Sequence, residues 1–373
     1  MRSALPALAV LLLTAALAGP APAGVTPLDG PDLADPRPTD GAVPPEVAEK
    51  LRLARFYRKL GYTDKATDTY REVIRDHPKC AEAYNGLGFL YEKNGKYPQA
   101  IESYHTALTL RPGWARPMFH IGSCLLDREK YDKAEEMLRK ATEADPADAS
   151  PRNCLGILYT RTGRLEAAER EYLAAAAIRP KWAAPYWNLV LLYDAQGLYK
   201  ESAKCLDVIL EIDPDNLNAL YQRVKHLVGR VDYSMAERTA AKLVKLYPHR
   251  AAAHEAMGIV HWSRENWEAA EGSFRRALAI DPNSAGAHIG MGHVRLWQKR
   301  FDEAEENYRR ALAIDPDLLD AKRGLQAAIE NKRIDRRVGG GCSLAPDFAS
   351  ASPLGMLQYL AIILPAVLLR KRL

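Results

Sequence analysis

From Val47 to Leu318 the hydrophobic and polar positions recur with a period of 34 residues, eight times over, with no residue inserted or dropped. Each period holds two apolar runs of helical spacing. In residues 81–114, Tyr84, Leu87, Gly88 and Tyr91 follow one another at steps of three, one and three, and Ala100, Tyr104, Ala107 and Leu108 at steps of four, three and one later in the same period. Every period carries a proline in one column: Pro78, Pro112, Pro146, Pro180, Pro214, Pro248, Pro282 and Pro316. Proline has no amide donor and clashes with the preceding turn, so this column predicts a helix end in every period. Twelve residues earlier stand Ala66, Ala100, Ala134, Ala168, Ser202, Ala236, Ala270 and Ala304, small residues that predict a helix–helix contact. Between the two runs, Gly61, Gly95, Gly163 and Gly197 share a column and predict a left-handed exit from the first helix. Gly88, Gly122, Gly156, Gly258 and Gly292 fall within first helices, where glycine costs about 1 kcal/mol against alanine, and close backbone approach is the expected offset.

The Leu-Gly, Tyr, Ala, aromatic, Ala and Pro columns resemble the tetratricopeptide repeat, whose 34-residue period they share. The resemblance implies an all-α fold, a right-handed α-α superhelix (solenoid) of eight 34-residue helix-turn-helix repeats at 47–80, 81–114, 115–148, 149–182, 183–216, 217–250, 251–284 and 285–318. Residues 319–335 repeat only the first-helix pattern and are expected to form a C-terminal capping helix. The resemblance also implies a concave groove built from first-helix columns two, five, nine, twelve and thirteen. Its binding candidates here are Arg55, Asn85, Phe89, Phe119, Asn153, Trp187, Tyr221, Trp262 and Trp297. Aromatic rings supply contact area at low entropic cost, and amides hold an extended peptide through its backbone. Trp114, Trp182 and Trp267 are expected to be structural. The sixth repeat departs from the pattern: Arg223-Val224 replaces Leu-Gly, Ala240 replaces the aromatic, and Gly229 weakens the first helix. Its stacking is expected to be the poorest, a soft joint in the array.

Both ends read as addresses. Residues 1–23 carry Arg2, an apolar run from Leu5 to Leu17 and Ala21-Pro22-Ala23, the order of a secretory signal peptide cleaved after Ala18 or Ala23. Residues 24–46 are a proline-rich leader. At the other end a linker, 336–353, contains Gly340, Gly341 and Cys342, candidates for processing or lipidation. A hydrophobic anchor, 354–369, and a basic tail, 370–373, follow. This order resembles the tripartite sorting signals of Gram-negative envelope proteins, and either processing or permanent anchoring leaves the array outside the cytoplasm, periplasm-facing or at the cell surface, tethered to a membrane.

Composition changes little in this picture. Of the net charge of +5, Arg2, Arg370, Lys371 and Arg372 lie outside the repeats, and the array has charges of mixed sign, so no nucleic-acid partner is expected. Cys80, Cys124, Cys154 and Cys205 show no metal-ligand spacing and read as small buried residues; Cys124 and Cys154, on first helices of adjacent repeats, are the one pair placed for a disulfide. His254, His261, His288 and His293 crowd the last two repeats; His254 and His261 share a face but stand two turns, about 10 Å, apart, too far for one metal, and His288 and His293 point in different directions. The glycines of Gly86-Leu87-Gly88 and Gly290-Met291-Gly292 lie within first helices and follow no strand, so they are packing positions rather than phosphate loops. No catalytic residues, metal or cofactor are therefore expected. The expected function is a non-catalytic scaffold of the bacterial envelope holding a protein or peptide ligand in its groove; the alternative is an accessory of polysaccharide export or surface-structure assembly with glycan contact.

Overall fold

The computed structural model describes residues 44–338, and among them every regular element is an α-helix. Fifteen-residue α1 (Pro45–Lys59) and α2 (Thr63–Asp76) form the first hairpin. There follow α3 (Ala81–Lys93) with α4 (Tyr97–Leu110), α5 (Ala115–Asp127) with α6 (Tyr131–Ala144), and α7 (Ala149–Arg161) with α8 (Leu165–Ile178). Next come α9 (Ala183–Gln196) and α10 (Tyr199–Ile212), α11 (Leu217–Gly229) and α12 (Tyr233–Leu246), α13 (Ala251–Ser263) and α14 (Trp267–Ile280), and α15 (Ala285–Trp297) and α16 (Phe301–Ile314). The closing helix α17 (Leu319–Val338) runs three residues past the expected end of the cap. The chain divides into two compact units, one ending at Leu192 and the other beginning at Tyr193, both within α9. In the first unit α2 packs on α3, α4 on α5 and α6 on α7; in the second, α10 packs on α11, α12 on α13, α14 on α15 and α16 on α17. Each unit is thus an all-α solenoid of stacked helix pairs.

The proline column ends helices by acting on the residue before it. His77, Arg111, Asp145, Asp213 and Asp281 have φ between −142° and −133° with positive ψ, because a following proline ring excludes the helical region there. Each still donates its amide to the carbonyl four residues back, as His77 does to Val73 at 2.7 Å. At the turn inside a hairpin, Gly95 has φ +70° and Lys96 N–H reaches back to Tyr91 O at 2.8 Å, closing the first helix through a left-handed residue. Where the repeat lacks glycine in this column the left-handed residue is Glu129, Val231, Glu265 or Lys299. Val231 is the costly one: β-branched, φ 63° and half exposed, it pays strain of roughly 1–2 kcal/mol with little packing in return. Val231→Gly is expected to raise stability by about 0.5–1 kcal/mol after the greater unfolded-state entropy of glycine is deducted. A thermal midpoint that stays put or drops would show that the conformation is unstrained.

The glycines inside first helices seat the aromatic rings of second helices. A Cβ at Gly88 would lie 2.8 Å from the Tyr104 ring, which is fully buried. The sixth repeat keeps the same volume in exchanged form: Val224 stands in the glycine column and Ala240 in the aromatic column, and both are fully buried. The stacking is thinnest here, as expected: α11 and α12 touch less than the helices of the other described hairpins, and α10 on α11 is the thinnest of the described junctions between repeats, while packing toward the seventh repeat is continuous. Leu220, Val224, Leu227, Val228, Ala236, Ala240 and Leu243 make one continuous core with Ala253, Ala256 and Val260 of the seventh repeat. In α17, Ala328 packs with Ala304 and Tyr308, and Lys332 is anchored by Glu305 at 3.0 Å and by Asp302.

Candidate functional site

In the first unit, the column-five positions of successive first helices hold Asn85, Phe119, Asn153 and Trp187. Phe119, Asn153 and Trp187 are buried, Asn153 almost completely. Asn153 Oδ1 accepts a hydrogen bond from Asn188 Nδ2 at 2.9 Å, which links neighbouring repeats. Two amide atoms in this column, Asn85 Oδ1 and Asn153 Nδ2, are shut off from water without a hydrogen-bond partner. Such an atom costs about 1–3 kcal/mol unless something supplies the missing bond.

The same unit holds a polar cluster around Glu92 and His120, neither of them among the groove candidates. Tyr104 donates its hydroxyl to Glu92 at 2.6 Å, and His120 Nδ1 lies 3.1 Å from the same carboxylate oxygen. The His120 ring stacks on Tyr104 at 5.1 Å and meets Phe89 edge-on at 5.7 Å and Phe119 at 5.0 Å. Burial pushes the Glu92 carboxyl up, but His120 and Tyr104 outweigh it and hold it below the usual carboxylate range. Its second oxygen, Oε1, is buried without a partner. Phe89, half-buried, carries the Arg58 guanidinium over its face at 4.6 Å and the Lys93 ammonium at 5.5 Å. Arg55 is exposed, with its Nε bonded to Leu51 O at 3.2 Å. Column twelve, which supplies Glu92, was a groove column, so the sequence carried a signal for that residue; His120, at column six, was reachable only through packing.

The second unit treats the same column differently. Tyr221 donates its hydroxyl to Glu255, and Ser284 Oγ donates to Glu255 Oε2 at 3.1 Å. The carboxyl fills the space that a side chain at Gly286 would take. Burial raises the Glu255 pKa, and the Tyr221 and Ser284 hydroxyls with the Lys225 charge offset only part of that rise. Tyr221, a groove candidate by sequence, is therefore tied into an internal latch that joins the sixth and seventh repeats and packs against Gly286 of the eighth. Trp262 and Trp297 come together through Trp267: Trp267 stacks on Trp297 at 4.5 Å and meets Trp262 edge-on at 4.6 Å. Trp267, expected to be only structural, is the central ring of this ladder, and Trp297 at its end is 48% exposed. His293 stacks on Trp262 at 5.7 Å, bonds Tyr308 through Nδ1 at 2.8 Å, and is pushed by burial to a pKa of about 4, so it is neutral at physiological pH.

Trp114 is buried between Ala81 and Ala107, the wedge expected of it, whereas Trp182 is half-buried under the Arg179 guanidinium at 5.0 Å. Cys80, Cys124, Cys154 and Cys205 are buried free thiols, so the Cys124–Cys154 pair is not bridged. Among the described residues no group of three His, Cys, Asp or Glu side chains is placed to hold a metal ion, and no helix is long and apolar enough to cross a membrane. Ala23, Gly340, Gly341, Cys342 and the anchor 354–369 lie outside the described residues.

Among solved structures the chain is similar to MamA, at 25% identity over 43% of this chain and 94% of that one, with a TM-score of 0.39. It is similar also to YrrB, described as a TPR protein with an unusual peptide-binding site, at 22% identity over 47% of this chain and 90% of that one, TM-score 0.38. The C-terminal part of a TPR repeat-containing protein from Cytophaga hutchinsonii shares 17% identity over 65% of this chain and 99% of its own, with a TM-score of 0.52, a likeness of fold. No curated protein matches the chain. The family model described as the cilia and flagella-associated protein 70 C-terminal domain matches residues 9–257, well over half of the chain, and a tetratricopeptide repeat model matches residues 261–335. The chain is a tetratricopeptide-repeat protein and belongs to the family of the cilia and flagella-associated protein 70 C-terminal domain.

Proposed function

We propose that this protein is a non-catalytic interaction scaffold of the bacterial cell envelope, exported by residues 1–23, tethered through 354–369, and holding an extended segment of a partner protein along the first unit. Repeat proteins of this type serve as interaction scaffolds, and neither family model that matches describes an enzyme. The observation that carries the ligand class is the pair of orphaned amide atoms, Asn85 Oδ1 and Asn153 Nδ2, in one column two repeats apart, which a ligand reaches once the two side chains turn outward. An extended peptide presents backbone N–H and C=O groups in alternation, so one strand of ligand supplies the donor that Asn85 lacks and the acceptor that Asn153 lacks. Half-buried Phe89, at column nine beside the line, offers apolar contact to its side chains.

The test is to select binders from a random linear peptide display library on the intact protein. The selected peptides are then measured against wild type and an Asn85→Ala, Asn153→Ala double variant. Removing both amides is expected to weaken binding at least tenfold, about 1.4 kcal/mol or more; because Asn153→Ala also removes the Asn188 bond and lowers the thermal midpoint, affinities are compared at a temperature where circular dichroism shows both proteins folded. Equal affinity for both proteins, or a library that yields no binder, would remove the peptide-groove reading.

A further inference from the structure

The first helix of the array has the interior pattern of a repeat but nothing described before it. In α3, α5 and α7, columns seven and ten hold Leu87 and Leu90, Ile121 and Cys124, and Leu155 and Leu158, all buried. The second helix of the preceding repeat packs on each of these first helices. In α1 the same two columns hold Leu53 and Phe56, exposed by 42% and 55%, and Leu60 extends the line at 52%. Spacings of three and four place these three side chains on one stripe of the helix.

Charge along the stripe is one-sided. Arg52 and Lys59 each precede a stripe residue and stand seven positions apart, so they line one flank; both are exposed and neither has an ion-pair partner among the described residues. The remaining cations of α1 are engaged: Lys50 with Glu72 at 2.6 Å, Arg55 with a backbone carbonyl, and Arg58 over Phe89. Glu49 marks the N-terminal end of the stripe, so negative charge is accommodated only further along, beside Arg52 and Lys59.

Column six refines the fit. Gly86, Gly290 and Gly324 occupy it in later repeats, where the rings of Tyr70, Phe274 and Tyr308 from the preceding second helix press against the backbone. In α1 this column is Arg52. A guanidinium there takes the place of the ring and asks for a carboxylate opposite it. A second copy of the chain fits poorly, because the open face of α17 presents Lys322 and Arg333 around Leu325 and Ile329, with Glu330 as its one acid.

We propose that the open face of α1 is a docking surface for an amphipathic, acidic helix of a partner protein. That helix lies where a preceding second helix would lie, with its apolar side on Leu53, Phe56 and Leu60 and a carboxylate against Arg52, where the chain's own second helices carry an aromatic ring. This surface is distinct from the column-five amides, so it stands or falls independently of the peptide groove.

The probe is a lactam-stapled peptide with the sequence of α8, Leu165–Ile178, shown to be helical by circular dichroism, made in two forms with Tyr172→Glu or Tyr172→Lys. Binding to the full chain is read by fluorescence anisotropy. The glutamate form is expected to bind saturably and at least tenfold tighter than the lysine form, with the preference fading as salt rises. Arg52→Glu with Lys59→Glu should reverse that preference, a result that misfolding cannot imitate. Leu53→Asp with Phe56→Asp should abolish binding of both peptides with the far-UV spectrum and thermal midpoint retained, since both side chains are exposed. Absence of saturable binding, or equal affinity for the two forms, overturns the proposal. So does binding that emerges only when residues 24–43 are deleted, which would make the chain's own leader the occupant, or a dimer in sedimentation that the Leu53→Asp, Phe56→Asp variant dissolves, which would make it a second copy.

Discussion

Gly290→Ala is expected to destabilise the second unit by about 2 kcal/mol, although alanine is the better helix former. The Phe274 ring, 1% exposed, sits between Gly258 of its own repeat and Gly290 of the next. A Cβ at Gly258 would come within 2.6 Å of the ring, and one at Gly290 closer still. The ring is gripped from both sides and has nowhere to retreat, so overpacking costs roughly 3 kcal/mol. Helix propensity returns about 1 kcal/mol. The measurement is the denaturant midpoint of wild type, Gly290→Ala, Phe274→Leu and the double variant. Strong positive coupling is expected, with the double variant more stable than the sum of the single changes predicts. A Gly290→Ala protein as stable as wild type would mean that the helices separate at no cost and that the ring is not a spacer.

The latch at Glu255 should make stability depend on pH. Burial raises the Glu255 pKa above the usual 4.5. With the folded value above the unfolded one, its contribution is fully present below about pH 4.5 and is lost as pH rises through the folded value, because the native state must then hold a buried charge. The groups that face it are the Tyr221 hydroxyl and the Lys225 ammonium from α11 and the Ser284 hydroxyl at the start of α15; only Lys225 favours the ion by charge. Glu255→Gln keeps an acceptor for Tyr221, removes the charge, and is expected to flatten this pH dependence and stabilise the second unit at neutral pH. Glu255→Ala strands the Tyr221 hydroxyl and empties the space beside Gly286, a loss of about 3 kcal/mol. Unfolding midpoints across pH 4–8 for the three proteins decide it: identical slopes for wild type and Glu255→Gln would show that the carboxyl does not titrate in this range.

The same latch explains why part of the candidate site could not be read from residue types. Asn85 and Tyr221 share a column, and both are residues that bind ligands. Whether each does depends on the neighbours above it. Tyr221 meets Glu255 one repeat later and is consumed, while Asn85 is followed by Phe119, which offers no hydrogen bond, and its amide oxygen stays unpaired. Trp187 and Tyr221, both groove candidates by column, are therefore poorly placed to bind a ligand: one ring is buried and the other holds a carboxyl. The sixth repeat teaches the same lesson about stability. Val224 and Ala240 break the pattern one at a time and fill the helix–helix contact as a pair, yet the hairpin they join touches less than the other described hairpins, because alanine does not reach as far as the ring it replaces.

What the sequence by itself determined is everything governed by the backbone within a single repeat. Proline ends each second helix by excluding the helical region at the residue before it, glycine opens the left-handed turn, and a period of 34 residues forces hairpins that cannot bury their apolar faces alone. Only the tertiary structure decided which side chains are free to act. Glu92 with His120, the Glu255 latch, the tryptophan ladder through Trp267 and the bare stripe of α1 each depend on contacts between helices. A column fixes where a side chain points, but exposure and hydrogen bonding are settled by residues one repeat, 34 positions, away, whose size and chemistry the period leaves open.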